Sequence, residues 1–154
     1  MKRVAVTGLG VISPVGNDVP TFWNALCSGT CGIGPITKFD ATDYPVKLAA
    51  EVRDFDPRQY MEKLDILHSD VYTHFAMAAA CQAVADSGIA GTLDAERVGV
   101  YIGSGIGGIA TFMTEHSKLL NRGPRRVSPY FIPMMIPNMA SSMIAMRYHF
   151  HGPA

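Results

Sequence analysis

At 154 residues, 48% apolar and 17% charged, the chain is long enough for one domain with a sizeable core. Thirteen Lys and Arg balance thirteen Asp and Glu, so bulk charge points neither to nucleic acid nor to an anionic membrane. No stretch reaches the ~20 apolar residues of a membrane span, and the Gly-Leu-Gly and Ser-Pro breaks in "MKRVAVTGLGVISPVG" are wrong for a signal segment.

The first predicted element is "RVAVTG" (3–8), a β-rich run ended by glycine and read as a buried strand. "LGVISPVGND" is a loop. A helix is expected over about 19–27, with Pro20 in its first turn and Gly29 past its end. "SGTCGIGPI" reads as a glycine-rich loop and "VKLAAEV" (46–52) as an extended edge segment. After the irregular "DFDPRQYMEKLDILHSD", Ser69 is the predicted N-cap of a helix that runs to Gly88, with Asp70 in its first turn. Six alanines between 76 and 85 leave that helix little bulk, so it can lie close against a sheet or another helix.

"RVGVYIGSG" (97–105) is read as a second buried strand, followed by a helix from Gly107 to about Leu120. "NRGPRRVSPYFIPMMIP" is a long proline-punctuated loop. Asn138 can cap a last helix, "MASSMIAMRYH", whose Met, Ala and Ile residues suit a packed interface. The order is βαβ-like and predicts a parallel sheet with right-handed crossovers. The chain closes on "HGPA", a turn that normally introduces another element, so the ending is read as a cut.

Charge and thiols add smaller points. Glu115 is the last acidic residue, and Lys118, Arg122, Arg125, Arg126 and Arg147 follow it unopposed. They form either a solvated loop and helix face or a docking face for an anionic partner. Cys27, Cys31 and Cys81 are an odd set without a regular framework, which places the protein in a reducing compartment, the cytoplasm. Cys81 falls inside the alanine-rich helix and is read as an inert core thiol. Cys27 and Cys31 lack the second pair a zinc site needs. His68, His74, His116, His149 and His151 are scattered and are read as surface or structural residues.

The stretch "VGVYIGSGIGGIA" (98–110) poses the sharpest question. Gly103, Gly105 and Gly108 fall at the G-x-G-x-x-G spacing of a dinucleotide fingerprint. That motif needs an acidic residue about 20 positions further on to hold the ribose. Glu115 is too close, although Arg125 and Arg126 keep an NADP-dependent oxidoreductase formally open. The competing reading is geometric. Glycines let other groups approach closely, and Ile106 then presents an apolar side chain where a strand hands over to a helix, as in the wall of an apolar pocket.

"VAVTGLGVISPVGN", "WNALCSGTCGI", "AMAAACQAVADSGI", "IGSGIGG" and "GPRRVSPYFIPMMIPNM" occur in one order. Together they resemble the N-terminal part of elongating β-ketoacyl-acyl-carrier-protein synthases of type II, in the thiolase-like superfamily, over essentially the whole chain. The resemblance implies an α/β fold of two similar halves layered αβαβα, of which residues 1–154 are an incomplete N-terminal half. It implies a cytosolic homodimer in fatty-acid synthesis, with acyl carrier protein as partner and no cofactor or metal. The reaction implied is a decarboxylating Claisen condensation of an acyl thioester, held on a cysteine thiolate, with malonyl-carrier protein.

That cysteine, two histidines and a lysine are expected beyond "HGPA", so the chain carries no catalytic residue and is expected to be inactive by itself. Carried over by position, Ile106 matches the residue that gates the acyl chain. Phe131 and Ile132 match residues that floor the partner's pocket, and Gly105 and Gly107 allow close approach. Lys63, Arg125 and Arg126 are the candidates for carrier-protein docking. A non-catalytic chain-length partner subunit remains an alternative, because the cysteine that would separate the two lies outside this sequence.

Overall fold

Local signals set most helix boundaries. In the computed structural model, which describes residues 3–154, α1 spans Val19–Cys27. Its N-cap Asp18 accepts from the Thr21 amide at 2.7 Å, and Pro20 sits in the first turn. Strands β1 (Ile33–Pro35) and β2 (Leu48–Ala50) pair antiparallel, Gly34 opposite Ala49. Pro35 is tolerated because the ribbon has only edges. The short α2 (Lys63–Leu67) leads into α3 (Val71–Ser87), which ends on Gly88 at φ 63°, a left-handed cap suited to glycine. Then follow α4 (Ile109–Arg122), α5 (Phe131–Met135) and α6 (Met139–Tyr148). Among the described residues no helix is long and apolar enough to cross a membrane.

The core forms where α6 packs on α3. Met61, Met77, Val100, Ile144 and Phe150 are its buried apolar residues, with Cys81, Val84, Met143 and Tyr148 around them. The alanines of α3 do what their size allows. A Cβ on Gly10 would overlap the carbonyl of Ala79, and one on Gly8 the carbonyl of Ala83. The backbone of the N-terminal segment therefore lies directly on the helix. The amides of Leu9 and Val11 are satisfied by side chains of α3, Asp86 and Gln82, both at 3.0 Å.

The predicted parallel sheet needs correction. Residues 3–8 and 98–104 form no regular element, Arg97 closing a 3₁₀ turn and Gly105 lying in a bend, and the only strand ladder among the described residues is the β1–β2 pair. The second segment keeps its strand periodicity: Val98, Val100, Ile102 and Ser104 turn inward, while Gly99, Tyr101 and Gly103 turn out. It pairs with the end of the chain, Gly152 donating to Val98 at 3.0 Å and Val100 to Pro153 at 2.8 Å. The partners ascend together along both segments, as parallel neighbours do, but two bonds do not make a ladder. Among the described residues the first segment makes no backbone–backbone hydrogen bond to a neighbouring strand. Neither segment is buried on both faces: Val4 is 94%, Val6 80% and Tyr101 79% exposed. A strand of a layered fold needs cover on its second face; here Val98, Val100 and Ile102 pack inward on the core, and the opposite side is left open. The accessible surface is 10770 Å², against about 7,600 Å² for a compact monomer of this mass.

Candidate functional site

Helix α4 buries two polar side chains and leaves its large apolar ones in solvent. Thr111 and Glu115 are buried, whereas Ile109, Phe112, Met113, Leu119 and Leu120 are between 42% and 71% exposed. Two buried carboxylates hold the helix in this orientation.

The first is Asp70. It occupies the N-cap position of α3, one residue later than the predicted Ser69, but its side chain makes no cap bond to its own helix. Its Oδ2 instead accepts from the Thr111 amide at 2.9 Å and the Thr111 hydroxyl at 2.6 Å. Thr111 is the third residue of α4, whose own N-cap, Gly108, has no side chain to offer. Asp70 thus caps a helix 41 residues away, and its charge lies at the positive end of the α4 dipole. Ser69 is used otherwise. Its hydroxyl donates to the Asp65 carbonyl and lies 3.1 Å from His74 Nε2. Burial pushes the pKa of His74 below its ordinary value.

The second carboxylate is Glu115. It accepts from Lys118 Nζ at 2.6 Å and from the Ser128 amide at 2.7 Å, and these donors hold its pKa below the ordinary carboxylate value, the lysine contributing most. The Ser128 bond ties the loop after α4 back onto the helix. A stack of His68 on Tyr130, centroids 3.7 Å apart, ties the same loop to the end of α2.

Between these anchors lies the glycine turn. The Gly107 amide donates to Ser104 Oγ at 3.0 Å, and Gly107 itself has φ 77°. A Cβ on Gly107 would overlap the Met135 carbonyl, and one on Gly108 the Met134 carbonyl. The Gly108 amide donates to Met135 at 2.9 Å. The turn is therefore seated on the C-terminal end of α5, the helix whose first two residues are Phe131 and Ile132. Phe131 is half-buried, its ring 6.1 Å from that of Phe112, while Ile106 and Ile132 are 68% and 53% exposed. Gly105 has open space around its Cα, so no close approach demands glycine there.

This geometry disposes of the dinucleotide reading. The fingerprint places a pyrophosphate at the N-terminus of the helix after the glycines. Here the Asp70 carboxylate already fills that position, and a second anion would meet its charge.

The remaining sequence-predicted residues lie apart from the turn. Lys63 opens α2, and Arg125 and Arg126 sit in a single 3₁₀ turn after α4. All three are exposed, and among the described residues none of them joins an ion pair. Cys81 packs against the core, whereas Cys27 and Cys31 are exposed. His151 faces Glu96 at 3.0 Å, and His116 stacks on Phe112. Among the described residues no group of three or more His, Cys, Asp or Glu is placed to hold a metal ion. The sequence reading missed Asp70 and Glu115 as anchors. The one available signal was that Glu115 is the last acidic residue before a basic stretch.

Comparison with known proteins fits this arrangement. The profile of the beta-ketoacyl synthase N-terminal domain matches residues 1–154. The 3-oxoacyl-[acyl-carrier-protein] synthase 2 of Coxiella burnetii is 50% identical over 153 residues, 99% of this chain and 37% of that protein. The synthase 2 of Synechocystis is 44% identical over the same shares. Among solved structures, an ishigamide ketosynthase/chain length factor superposes with a TM-score of 0.80 at 27% identity, covering 97% of this chain and 38% of that one. A type II ketosynthase in complex with its acyl-carrier protein superposes with a TM-score of 0.81 at 25% identity, covering 98% and 40%. The chain thus spans about 37% of the length of the curated relatives it matches, and its path is that of the N-terminal part of the thiolase-like ketosynthase fold. The chain belongs to the β-ketoacyl synthase N-terminal domain family.

Proposed function

We propose that residues 1–154 form the N-terminal part of a fatty-acid chain-elongating 3-oxoacyl-[acyl-carrier-protein] synthase. The observation that carries this reading is identity of 43–50% to proteins of that name over 98–99% of the chain. The chemistry is acyl transfer from carrier protein to a cysteine thiolate, then decarboxylation of malonyl-carrier protein and attack of the resulting carbanion on the thioester. Carbon dioxide leaves, and the thiolate is released as the new carbon–carbon bond forms. The groups that perform these steps lie outside residues 1–154, and the reaction calls for no metal or cofactor.

This chain supplies walls and surfaces. Gly105, Ile106 and Gly107 border the acyl pocket, with Ile106 as its gate. Phe131 and Ile132 floor the pocket across a homodimer interface. The outward apolar face of α4 and the surplus of accessible surface both call for such cover. Lys63, Arg125 and Arg126 offer exposed positive charge to an acidic carrier protein. The cytoplasm is the proposed location. A non-catalytic chain-length subunit is less well supported, because the relatives matched over the whole chain carry the synthase name.

The test is to assay the synthase that carries this sequence with acyl- and malonyl-carrier proteins, following carbon dioxide and the 3-oxoacyl product. Product formation supports the reading. A pure, folded dimer that neither takes up acyl label nor releases carbon dioxide refutes it.

A further inference from the structure

The contact between Asp70 and Thr111 has no role in the function described so far. Asp70 is 8% exposed, lies outside every predicted site, and gives its carboxylate to a distant helix instead of its own. Its distance along the chain from Ile106 conceals a short physical route. Thr111 is the third residue of α4, and Gly108 ends the turn that carries Ile106. A Cβ on Gly108 would stand 3.0 Å from Asp70 Oδ2, so the carboxylate lies directly under the end of the turn. On the other side the turn is fixed by the Met135 carbonyl, through the Gly108 amide. From outside, the turn is thus clamped between one side chain, Asp70, and one backbone group, while Ser104 Oγ braces it from within at the Gly107 amide.

We infer that Asp70 is a positioning residue for acyl-chain selectivity: by capping α4 across the fold, it fixes the turn that places Ile106. This rests on the proposed synthase function and adds to it a determinant that touches no substrate. The reasoning is geometric. If the cap is lost, the first turn of α4 frays and the Gly103–Gly108 turn loses its support from below. Ile106 then samples several positions. A short acyl chain that ends before the gate is indifferent to this, whereas a long chain must pass it.

The experiment uses the synthase that carries this sequence and compares kcat/KM for a short (hexanoyl) and a long (tetradecanoyl) acyl-carrier thioester. Asp70→Ala is expected to change the long-to-short ratio about tenfold, the scale of coupling through a packed contact. Asp70→Asn, whose amide oxygen can accept the same two bonds, should return the ratio to within about twofold of the parent. Hydrogen exchange at amides 108–111 should quicken in Asp70→Ala and recover in Asp70→Asn.

Thr111→Val is the second variant, needed if Asp70→Ala does not fold. It removes only the hydroxyl donor and should shift the ratio in the same direction by a smaller factor. A fall shared equally by both thioesters means a merely structural role and overturns the inference, as does an unchanged ratio or unchanged exchange. A parent enzyme that condenses neither thioester refutes the synthase reading itself, which is a different result from an active parent with an insensitive ratio.

Discussion

Replacing Glu115 tests whether one buried carboxylate holds the loop that carries Arg125, Arg126 and Phe131. In the parent protein Glu115 accepts two bonds, from the half-exposed Lys118 ammonium and from the Ser128 amide. The lysine is 38% exposed, so its share is that of a near-surface ion pair, below about 1 kcal/mol. The amide is worth more. Leaving a partly buried N–H without its charged acceptor costs about 1–3 kcal/mol. Glu115→Ala should therefore weaken the local closure of 124–131 by about 2 kcal/mol, or roughly 30-fold faster amide exchange by the opening equilibrium.

Glu115→Gln keeps a carbonyl for Ser128 and should lose only part of this. The sign with pH follows from the lowered pKa. The stabilisation is complete above the ordinary value of 4.5 and drains away as pH falls through the lower folded value. The assay is native-state hydrogen exchange read on peptides covering 124–131. If protection there is the same in Glu115→Ala as in the parent, the carboxylate does not hold the loop and the argument fails.

Three further outcomes are expected. The double change Arg125→Glu and Arg126→Glu should raise the apparent KM for acyl-carrier protein with little change in kcat, and the effect should shrink at high salt; an unchanged KM removes the docking role. His74 is buried and its pKa is lowered by desolvation, so the folded protein takes up this proton at lower pH than the unfolded chain, whose histidine has the ordinary value of 6.5. Stability should fall as pH drops below that point, and His74→Gln should flatten the slope in denaturant titrations. Gly107→Ala meets both a positive φ and the Met135 carbonyl. It should destabilise by about 1–3 kcal/mol, whereas Gly105→Ala, in open space, should be near neutral; equal thermal shifts in the two would contradict this account.

Helix ends were legible because their signals are local. Pro20 with Gly29, Gly88 and Asn138 mark α1, α3 and α6 as observed. Ser69 and Asp70 are both capping types, and adjacency could not say which one caps. The deciding fact, the demand of Thr111 for an acceptor, lies 41 residues away. Helix α5 was hidden by Pro133, which reads as a loop marker but is allowed here because it falls in the first turn. Strand β1 was hidden among glycines, since its partner β2 is what defines it. The runs at 3–8 and 97–105 were picked out by their β-branched residues. Whether such runs form a ladder depends on neighbours, and that is a property of the assembled layers. Of the glycine motif, spacing alone could not distinguish Gly107 and Gly108, which are sterically required, from Gly103 and Gly105, which are not.

The seat of Gly8 and Gly10 on α3 works as a ruler. Two residues of extended chain advance about 6.6 Å, and four residues of helix advance about 6 Å. Glycines at alternate positions therefore meet the helix once per turn, Gly10 at Ala79 and Gly8 at Ala83, with the two chains running in opposite senses. Slipping the segment by one residue would drive Leu9 into the helix backbone, so the alignment admits no neighbouring solution. Insertions should be tolerated in the loop beyond Val11 and rejected between Gly8 and Gly10, an asymmetry that a scan of single-residue insertions would expose directly.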